Sequence, residues 1–270
     1  MRPYLAIVSA RFRMLLQYRA AAIAGVWTQV FFGFVLLMVY EAFYRSTDAP
    51  QPLAFPQLAS YVWLGQALLA TLPWNADPEL RAMVRSGAVA YELCRPMDLY
   101  GLWFARALAT RTAPTLLRAV PMAIFAMLVL PWLGLPEWRL APPAPLAGLS
   151  FALALCAALA LSAAISTLVN ITLLWTIAGE GIVMLLTAIV SLCSGLLIPL
   201  PLFPRAVYAV LTWLPFAGVA DLPYRVYTGS VPPSELGLVL ARQIAWTIVL
   251  VALGRWMIRR GIRRLVVQGG

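Results

Sequence analysis

The sequence predicts an all-α membrane protein with six transmembrane helices, an N-terminal interfacial amphipathic helix, and re-entrant outer helices between spans five and six. Hydrophobic residues make up 63% of the chain and charged residues 11%, and the mean hydropathy is +0.86. A soluble domain of that composition could not cover its surface with polar groups. Several apolar stretches reach the roughly 20 residues that cross about 30 Å of hydrocarbon. We therefore expect one membrane domain over residues 1–270.

The absence of lysine and histidine excludes several kinds of chemistry. All 20 basic residues are arginine. Without lysine the chain has no Walker A loop and cannot hydrolyse ATP in that way, and without histidine it has no histidine-dependent triad or histidine-ligated metal. The isolated cysteines are typical of small hydrophobic residues and indicate neither a disulfide framework nor a metal site: Cys94, Cys156 and Cys193. The sequence thus predicts no catalytic residue and no bound metal or cofactor.

The arginines predict the orientation of the chain in the membrane. In a soluble protein the net charge of +10 would suggest nucleic acid, but here cytoplasmic loops and anionic headgroups explain it. We therefore expect membrane lipid as a partner and no nucleic acid. Of the 20 arginines, 15 fall in parts predicted to be cytoplasmic and five lie outside or near the outer end. This distribution predicts a multi-pass protein with both termini in the cytoplasm.

The first half of the chain begins with an amphipathic stretch and then becomes apolar. Residues 2–19 place apolar side chains at helical spacing with arginines between them, which predicts a helix in the cytoplasmic interface. Residues 99–113 are expected to begin along the interface. Pro121 is expected to kink the third span, and Arg118 to snorkel or to pair within the bundle, with an intramembrane functional group as the alternative. The six spans are predicted at residues 20–42, 57–75, 114–135, 146–175, 182–197 and 235–256.

Two later segments are not regular spans. Gly179, Glu180 and Gly181 predict the cytoplasmic turn before the fifth span; the alternative places Glu180 within the membrane as an ion or proton ligand. From Ile198 to Ser234, prolines interrupt apolar runs that are too short to cross, which predicts a re-entrant pair of short helices near the outer surface. The polar anchors expected there are Arg205, Asp221 and Arg225.

A polar stretch from Asp77 to Asp98 interrupts the apolar chain. Its first half has the marks of a short helix over residues 77–87. Asp77 suits the N-cap, Pro78 the first helical position, and Gly87 the end of the helix. Glu79 lies near the positive end of the helix dipole, and Arg81 and Arg85 are four residues apart on one face. We expect an amphipathic docking helix on the cytoplasmic side, and the alternative is a solvated loop.

Two strings resemble those of bacterial ABC-2 type permeases. RSGAVAYELCRPMDLYGLWFARAL looks like the segment that follows the second span in that family, where a small-residue turn precedes an L-x-RP-x pattern. SGLLIPLPLFPRAVYAVLTWLPFAGVADLPYRVYTG looks like the family's stretch between the fifth and sixth spans. Together with the N-terminal helix, the resemblance covers nearly the whole chain.

The resemblance implies a type V-like ABC exporter in a cell (inner) membrane. Two six-span permease subunits, of the same or of related chains, would lie side by side, and two copies of an ATP-binding subunit would bind ATP and magnesium. The helix around residues 79–85 would be the coupling helix that contacts this subunit, and the outer segment would act as an upper gate. The ATPase-coupling residues would be Asp77, Glu79, Arg81, Arg85, Arg95, Asp98 and Glu180. The gate or path residues would be Pro199, Phe203, Pro204 and Trp213.

For the exporter that the resemblance implies, the apolar spans favour a hydrophobic or amphipathic substrate. Two other classes of protein stay open at this point. An ion-coupled secondary carrier could use Glu180 or Arg118, although the sequence shows no internal repeat. A membrane-embedded lipid-modifying enzyme would need closely spaced carboxylates to hold magnesium, and beyond Asp77 and Glu79 the sequence offers no such pair.

Overall fold

The computed structural model describes residues 2–17, 19–175 and 180–262, and over these residues the chain is helical without a β-strand. The all-α class is therefore confirmed. The part of the chain that is described omits Gly179, Arg263 and Arg264. The helices are α1 Arg2–Leu15, α2 Arg19–Arg45, α3 Phe55–Ala67, α4 Pro78–Arg85, α5 Val89–Leu93, α6 Leu99–Ile124, α7 Leu130–Trp132, α8 Pro145–Thr172, α9 Glu180–Cys193, α10 Arg205–Trp213, α11 Pro215–Val219, α12 Asp221–Tyr227 and α13 Leu236–Ile262.

Among the described residues, four helical stretches are long and apolar enough to cross a membrane: Ala22–Arg45, Leu99–Trp132, Pro145–Thr172 and Pro233–Ile262. They correspond to the first, third, fourth and sixth predicted spans. The third is longer than predicted, because α6 starts at Leu99 and runs through Pro114 and Pro121. A π-helical turn, Phe125–Val129, then joins it to α7. Residues 99–113, expected to begin along the interface, are instead the first half of one continuous helix.

The second and fifth predicted spans correspond to shorter helices. Helix α3 has 13 residues and is followed by the 3₁₀ turn Leu69–Thr71. Helix α9 has 14 described residues; Glu180 and Gly181 of the predicted turn are helical in it, and Gly179 lies outside the described residues. The helix stops at Cys193 because Gly195 has a φ of +85°, a left-handed conformation that ends a helix. The structure thus ends this helix four residues before the predicted limit at 197.

Helix α8 lies at the centre of the molecule. It packs against α6, α12 and α13, and the side chains of Ser162, Ala163 and Ala164 are fully buried. Small residues allow neighbouring helices to approach closely where lipid offers no hydrophobic driving force. Helix α3 packs against α2 and α6, and Trp63 and Leu58 are fully buried.

Most of the short helices gather at the two ends of this bundle. At one end, which we call the arginine-rich end, α1 crosses α6, while α4 and α5 pack on the start of α6 and on the last turns of α8 and α13. At the other end, α10, α11 and α12 form the segment predicted to be re-entrant, and α12 packs against α8 and α3. The short helices α10, α11 and α12 therefore occupy the segment between α9 and α13, as the prolines indicated.

Candidate functional site

Helix α4 stands at the arginine-rich end, where the docking helix was expected. The Asp77 side chain accepts hydrogen bonds from the backbone N–H groups of Glu79 at 2.9 Å and Leu80 at 3.4 Å. Pro78 occupies the first helical position, and Gly87, with a φ of +75°, follows the last turn. A capped helix of eight residues is still too short to be stable alone. Its fold therefore depends on what holds its base.

Helix α4 is held by an ion-pair cluster, which we define as Arg11, Asp77, Glu79, Glu92 and Arg106. Arg11 of α1 contacts Glu79 Oε2 at 2.6 Å and Asp77 Oδ2 at 3.2 Å. Arg106 of α6 contacts the same two oxygens at 2.9 and 3.6 Å. Two guanidinium groups from different helices thus bridge the first turn of α4. Such multiple contacts to carboxylates suit the fork geometry of arginine.

Arg106 extends the cluster into the protein. Its Nη1 lies 3.1 Å from Glu92 Oε1 of α5, and the indole N–H of Trp103 donates to the other Glu92 oxygen at 2.8 Å. The side chains of Arg106, Asp77 and Glu92 are 8%, 8% and 4% exposed. Buried charges are tolerated only when each is paired. The pairing therefore ties α4, α5 and α6 into one unit.

Glu79 is the exposed member of the cluster, with 56% of its side chain accessible. Partial burial alone would raise its pKa, but the hydrogen bond from Arg11 and the positive charges of Arg106 and Arg11 hold the pKa of Glu79 below its ordinary value. The carboxylate is therefore ionised at neutral pH.

The segment that leads into α4 is fixed by α6 and α8. Arg111 of α6 donates to the backbone carbonyls of Leu72 at 2.7 Å and Asn75 at 3.1 Å, and to Ser166 Oγ of α8 at 3.1 Å. Asn170 Oδ1 of α8 accepts a hydrogen bond from the backbone N–H of Asp77 at 2.9 Å. The base of α4 is therefore connected directly to two long membrane helices.

Helix α1 crosses the start of α6 at close range. The hydroxyl of Tyr4 accepts a hydrogen bond from the backbone N–H of Asp98 at 3.1 Å. A Cβ atom on Gly101 would lie 2.9 Å from Tyr4 Cε1, so the glycine permits this crossing. The crossing brings Arg11, seven residues further along α1, to the first turn of α4.

The structure brings only some of the predicted coupling residues together. Asp77 and Glu79 lie in the ion-pair cluster. Asp98 instead caps α6 by accepting the backbone N–H of Gly101 at 2.8 Å. Arg81 is half-buried, whereas Arg85 and Arg95 are exposed.

The predicted residues of the later spans lie in three different settings. Glu180 is the first residue of α9, and its side chain falls outside the described part of the structure. Arg118 lies against α2, where a Cβ on Gly25 would be 3.0 Å from its guanidinium carbon. Cys94, Cys156 and Cys193 are free thiols.

The predicted gate residues lie around the short outer helices. Pro199 precedes a 3₁₀ turn, Leu200–Leu202, and Pro204 precedes α10. Phe203 is half-buried. Trp213 is 69% exposed. Its backbone carbonyl accepts a hydrogen bond from the indole of Trp246 at 2.8 Å.

A buried polar cluster supports this outer segment. Asp221 is fully buried; it accepts a hydrogen bond from the hydroxyl of Tyr61 at 2.9 Å and lies 3.6 Å from Arg225 Nη1. Its backbone N–H donates to the carbonyl of Ser194 at 3.1 Å. Asp221 and Arg225 were predicted as anchors; the described partners of Asp221 come from α3, from Ser194 just after α9 and from Arg225, whereas Arg225 contacts Asp221 and the ring of Tyr208 of α10.

The residues missed from the sequence are those that hold α4 in place: Arg11, Glu92, Arg106, Arg111 and Asn170. Arg106 and Arg111 carried one usable signal, since a guanidinium in a mostly apolar helix needs partners. That signal does not identify the partners. The side chains that these two arginines contact lie 14 to 55 residues away along the chain. Within the described residues, no group of three or more histidine, cysteine, aspartate or glutamate side chains is arranged to hold a metal ion.

The comparisons with known proteins agree with this architecture. Residues 30–269 match the family described as "ABC-2 family transporter protein". Comparison with curated proteins and with solved structures returned no significant match. The family match covers most of the first long membrane helix, all of the other three, α4, and the cluster residues from Asp77 to Arg106. The chain therefore belongs to the ABC-2 transporter family, as a multi-pass permease subunit that works with an ATP-binding subunit.

Proposed function

We propose that this chain is the permease subunit of an ATP-driven exporter of hydrophobic or amphipathic substrates, and that α4 is its coupling helix. The observation that carries the proposal is the mounting of α4. A short capped helix at the arginine-rich end is joined by ion pairs and hydrogen bonds to α1, α6 and α8. A surface loop that only connected two spans would not need such a mounting.

The proposed mechanism is transmission of force by a rigid joint. When two ATP-binding subunits close on ATP, the coupling helix moves with them. Arg106 and Asn170 pass that motion to α6 and α8, so the bundle changes between inward and outward exposure. The chain itself contributes no bond chemistry in this proposal, because ATP and magnesium are bound by the partner.

The complete assembly in this proposal has two permease subunits, identical or related, and two ATP-binding subunits. Six crossings per permease put both termini on the same side of the cell inner membrane, and the distribution of arginines favours the cytoplasmic side. Because α3 with its 3₁₀ turn extends about 26 Å and α9 about 21 Å, both short of the roughly 30 Å of hydrocarbon, six crossings also require the residues that flank these two helices to lie within the membrane. Exposed aromatic residues on α2, Trp27, Phe31 and Phe32, suit contact with lipid, substrate or a second permease.

The outer segment is proposed as the upper gate. Pro199 and Pro204 divide it into short pieces, and Arg242 of α13 lies 4.9 Å from the ring of Trp213. Movement of α13 would therefore displace Trp213 through its contact with Arg242. Phe203 and Trp213 supply apolar surface that a hydrophobic substrate can contact.

The first experiment tests docking on α4. Ala82 is exposed on this helix, so Ala82→Trp places bulk on its free surface without removing an ion pair. The chain is affinity-purified from the cell that produces it, and co-purification of an ATP-binding subunit and ATPase activity in lipid are measured. We expect Ala82→Trp to abolish both. Ala49→Trp, in an exposed loop at the other end, is the matched control and should change neither.

The second experiment separates docking from transmission. Arg11→Gln removes the contacts of α1 to Asp77 and Glu79 but leaves those of Arg106. We expect co-purification to persist while substrate transport per ATP hydrolysed falls severalfold, and Arg13→Gln, on an exposed position of the same helix, to behave like the wild type. Substrate movement by the purified chain without an ATP-binding subunit would contradict the proposal and favour an ion-coupled carrier.

A further inference from the structure

A groove at the arginine-rich end lies where three helices meet. It has a volume of about 860 Å³ and lies between α1, the start of α6 and the last turns of α13. Its walls are largely apolar, with Leu5 and Val8 on one side and Phe104 and Leu108 on another. The third wall carries two guanidinium groups. We call the whole groove the arginine groove and define it by these residues: Tyr4, Leu5, Val8, Phe104, Leu108, Arg255, Ile258 and Arg259.

The same two arginines also line a second, shallower depression on α13. This depression has a volume of about 460 Å³ and an apolar floor that includes Ile248, Val251 and Ala252. Ile248 lies seven residues before Arg255, which is about 10 Å along a helix. The surface below Arg255 and Arg259 therefore extends as an apolar track roughly two thirds of the way through one hydrocarbon leaflet of about 15 Å.

The described residues do not balance the charge of the arginine groove. Arg255 and Arg259 are exposed, one helical turn apart, and neither makes an ion pair with another described residue. Arg255 lies 5.8 Å from the ring of Tyr100. Among the described residues, Asp98 is the acidic side chain that lines the groove, and it is occupied in capping α6. Two guanidinium groups thus face one carboxylate.

The neighbouring residues mark the depth of the membrane interface. Trp256 lies between the two arginines and is 51% exposed, and the guanidinium of Arg260 lies 4.3 Å from its ring. Tryptophan is enriched where headgroups meet hydrocarbon. Trp256 therefore favours a depth at which the guanidinium groups of Arg255 and Arg259 meet lipid phosphates and the track below them meets acyl chains.

We propose that the arginine groove binds an anionic phospholipid of the phosphatidylglycerol type. Arg255 and Arg259 hold the phosphate, and the acyl chains lie along the apolar walls of the groove and the track on α13. Arginine binds phosphate with two parallel hydrogen bonds and stays charged at any physiological pH, and basic pockets between membrane helices suit anionic headgroups. The bound lipid would join α1 to α13 and so steady the helix that carries Arg11. This site does not depend on the transport proposal.

The test uses the full chain purified in a neutral detergent. Phosphatidylglycerol or phosphatidylcholine with the same acyl chains is titrated into the micelles, and thermal unfolding and native mass spectrometry are recorded. We expect phosphatidylglycerol to raise the melting temperature saturably and to remain bound at one per chain. Arg255→Gln/Arg259→Gln should weaken this binding at least about tenfold, because two charge-assisted hydrogen bonds are lost.

Two further variants keep the test decisive. Arg13→Gln/Arg260→Gln removes the same charge from exposed positions at the same end that do not line the groove, and it should leave binding within about twofold of wild type. Ala252→Trp fills the track while retaining both arginines. It should weaken phosphatidylglycerol binding even if the arginine variant does not fold.

Four outcomes would overturn the proposal. Equal weakening in both arginine pairs would show general charge attraction, and equal effects of the two lipids would show that the headgroup is not recognised. Stabilisation by inorganic phosphate or glycerol phosphate to the same extent would assign the groove to a free anion. Loss of phosphatidylglycerol on binding of the ATP-binding subunit, with the arginine pair needed for that binding, would assign it to a protein interface.

Discussion

Replacement of Arg106 by glutamine tests whether the ion-pair cluster holds α4 in place. Arg106 is 8% exposed and contacts three carboxylates, at 2.9 Å for Glu79, 3.1 Å for Glu92 and 3.6 Å for Asp77. Glutamine retains a polar group but not the charge or the reach. After the change, Asp77 and Glu79 still contact Arg11. Glu92 keeps only the indole N–H of Trp103 among its described partners.

The expected magnitude follows from this uneven loss. Removing one partner of a buried ion pair costs about 3–5 kcal/mol, because the remaining charge stays buried without compensation. Glu92, at 4% exposed, bears most of that cost. We therefore expect Arg106→Gln to lower the free energy of unfolding by about 3 kcal/mol. Adding Glu92→Gln removes the buried charge that has lost its partner. The double variant should therefore lose about 1–3 kcal/mol less free energy of unfolding than the two single variants lose in sum.

The assay is reversible unfolding in mixed micelles with sodium dodecyl sulfate, followed by far-ultraviolet circular dichroism and tryptophan fluorescence. Arg13→Gln, at an exposed position on α1, measures the effect of losing a charge from the same end of the molecule. The reasoning is refuted if Arg106→Gln is no more destabilising than this control, or if the effects of Arg106→Gln and Glu92→Gln are additive.

Two further predictions concern the outer end and the dependence on pH. Gly195→Ala should destabilise the protein by about 2–5 kcal/mol, since φ is +85° and the new Cβ would lie 2.2 Å from the hydroxyl of Tyr61. Gly229→Ala, where φ is +76° and the new Cβ would have no neighbour within 4 Å, should cost only about 1–2 kcal/mol. Equal melting temperatures of the two glycine variants would contradict this difference. The pKa of Glu79 is lowered on folding, so its stabilisation is complete above the ordinary carboxyl pKa and is lost as pH falls through the lowered value. The difference in melting temperature between wild type and Glu79→Gln should therefore shrink on acidification, and a constant difference would be inconsistent with this ion pair.

The elements that the sequence predicted well are those specified by local rules. Long apolar runs specified α2, α8 and α13, since no other structure satisfies about 20 backbone groups in lipid. The start of α4 was also local, because Asp77 and Pro78 serve the first turn directly. The continuity of α6 from Leu99 was not predicted, because Arg106 and Arg111 suggested an interface, whereas both guanidinium groups find partners inside the protein.

The coupling site was predicted only in part for the same reason. Asp77 and Glu79 were identified from their place in a short helix. The described contacts of Arg95 do not favour a coupling role for this residue more than for its neighbours. The resemblance alone supports that role. Arg11 was assigned only to an interfacial helix, since nothing in residues 2–19 shows which part of the chain that helix will cross.

The sequence by itself determined the membrane class, the long helices, the arginine-rich end and the helix that begins after Asp77, because composition and neighbouring residues suffice for each. Only the tertiary structure decided how that helix is mounted. Arg11, Glu92, Arg106 and Asn170 come from separate parts of the chain, and packing of α1, α6 and α8 brings them within hydrogen-bonding distance of their partners. The three charged side chains are acceptable inside the protein only because they are paired there. The same packing places Arg255 and Arg259 beside α1, where a groove exists only because three separate helices enclose it.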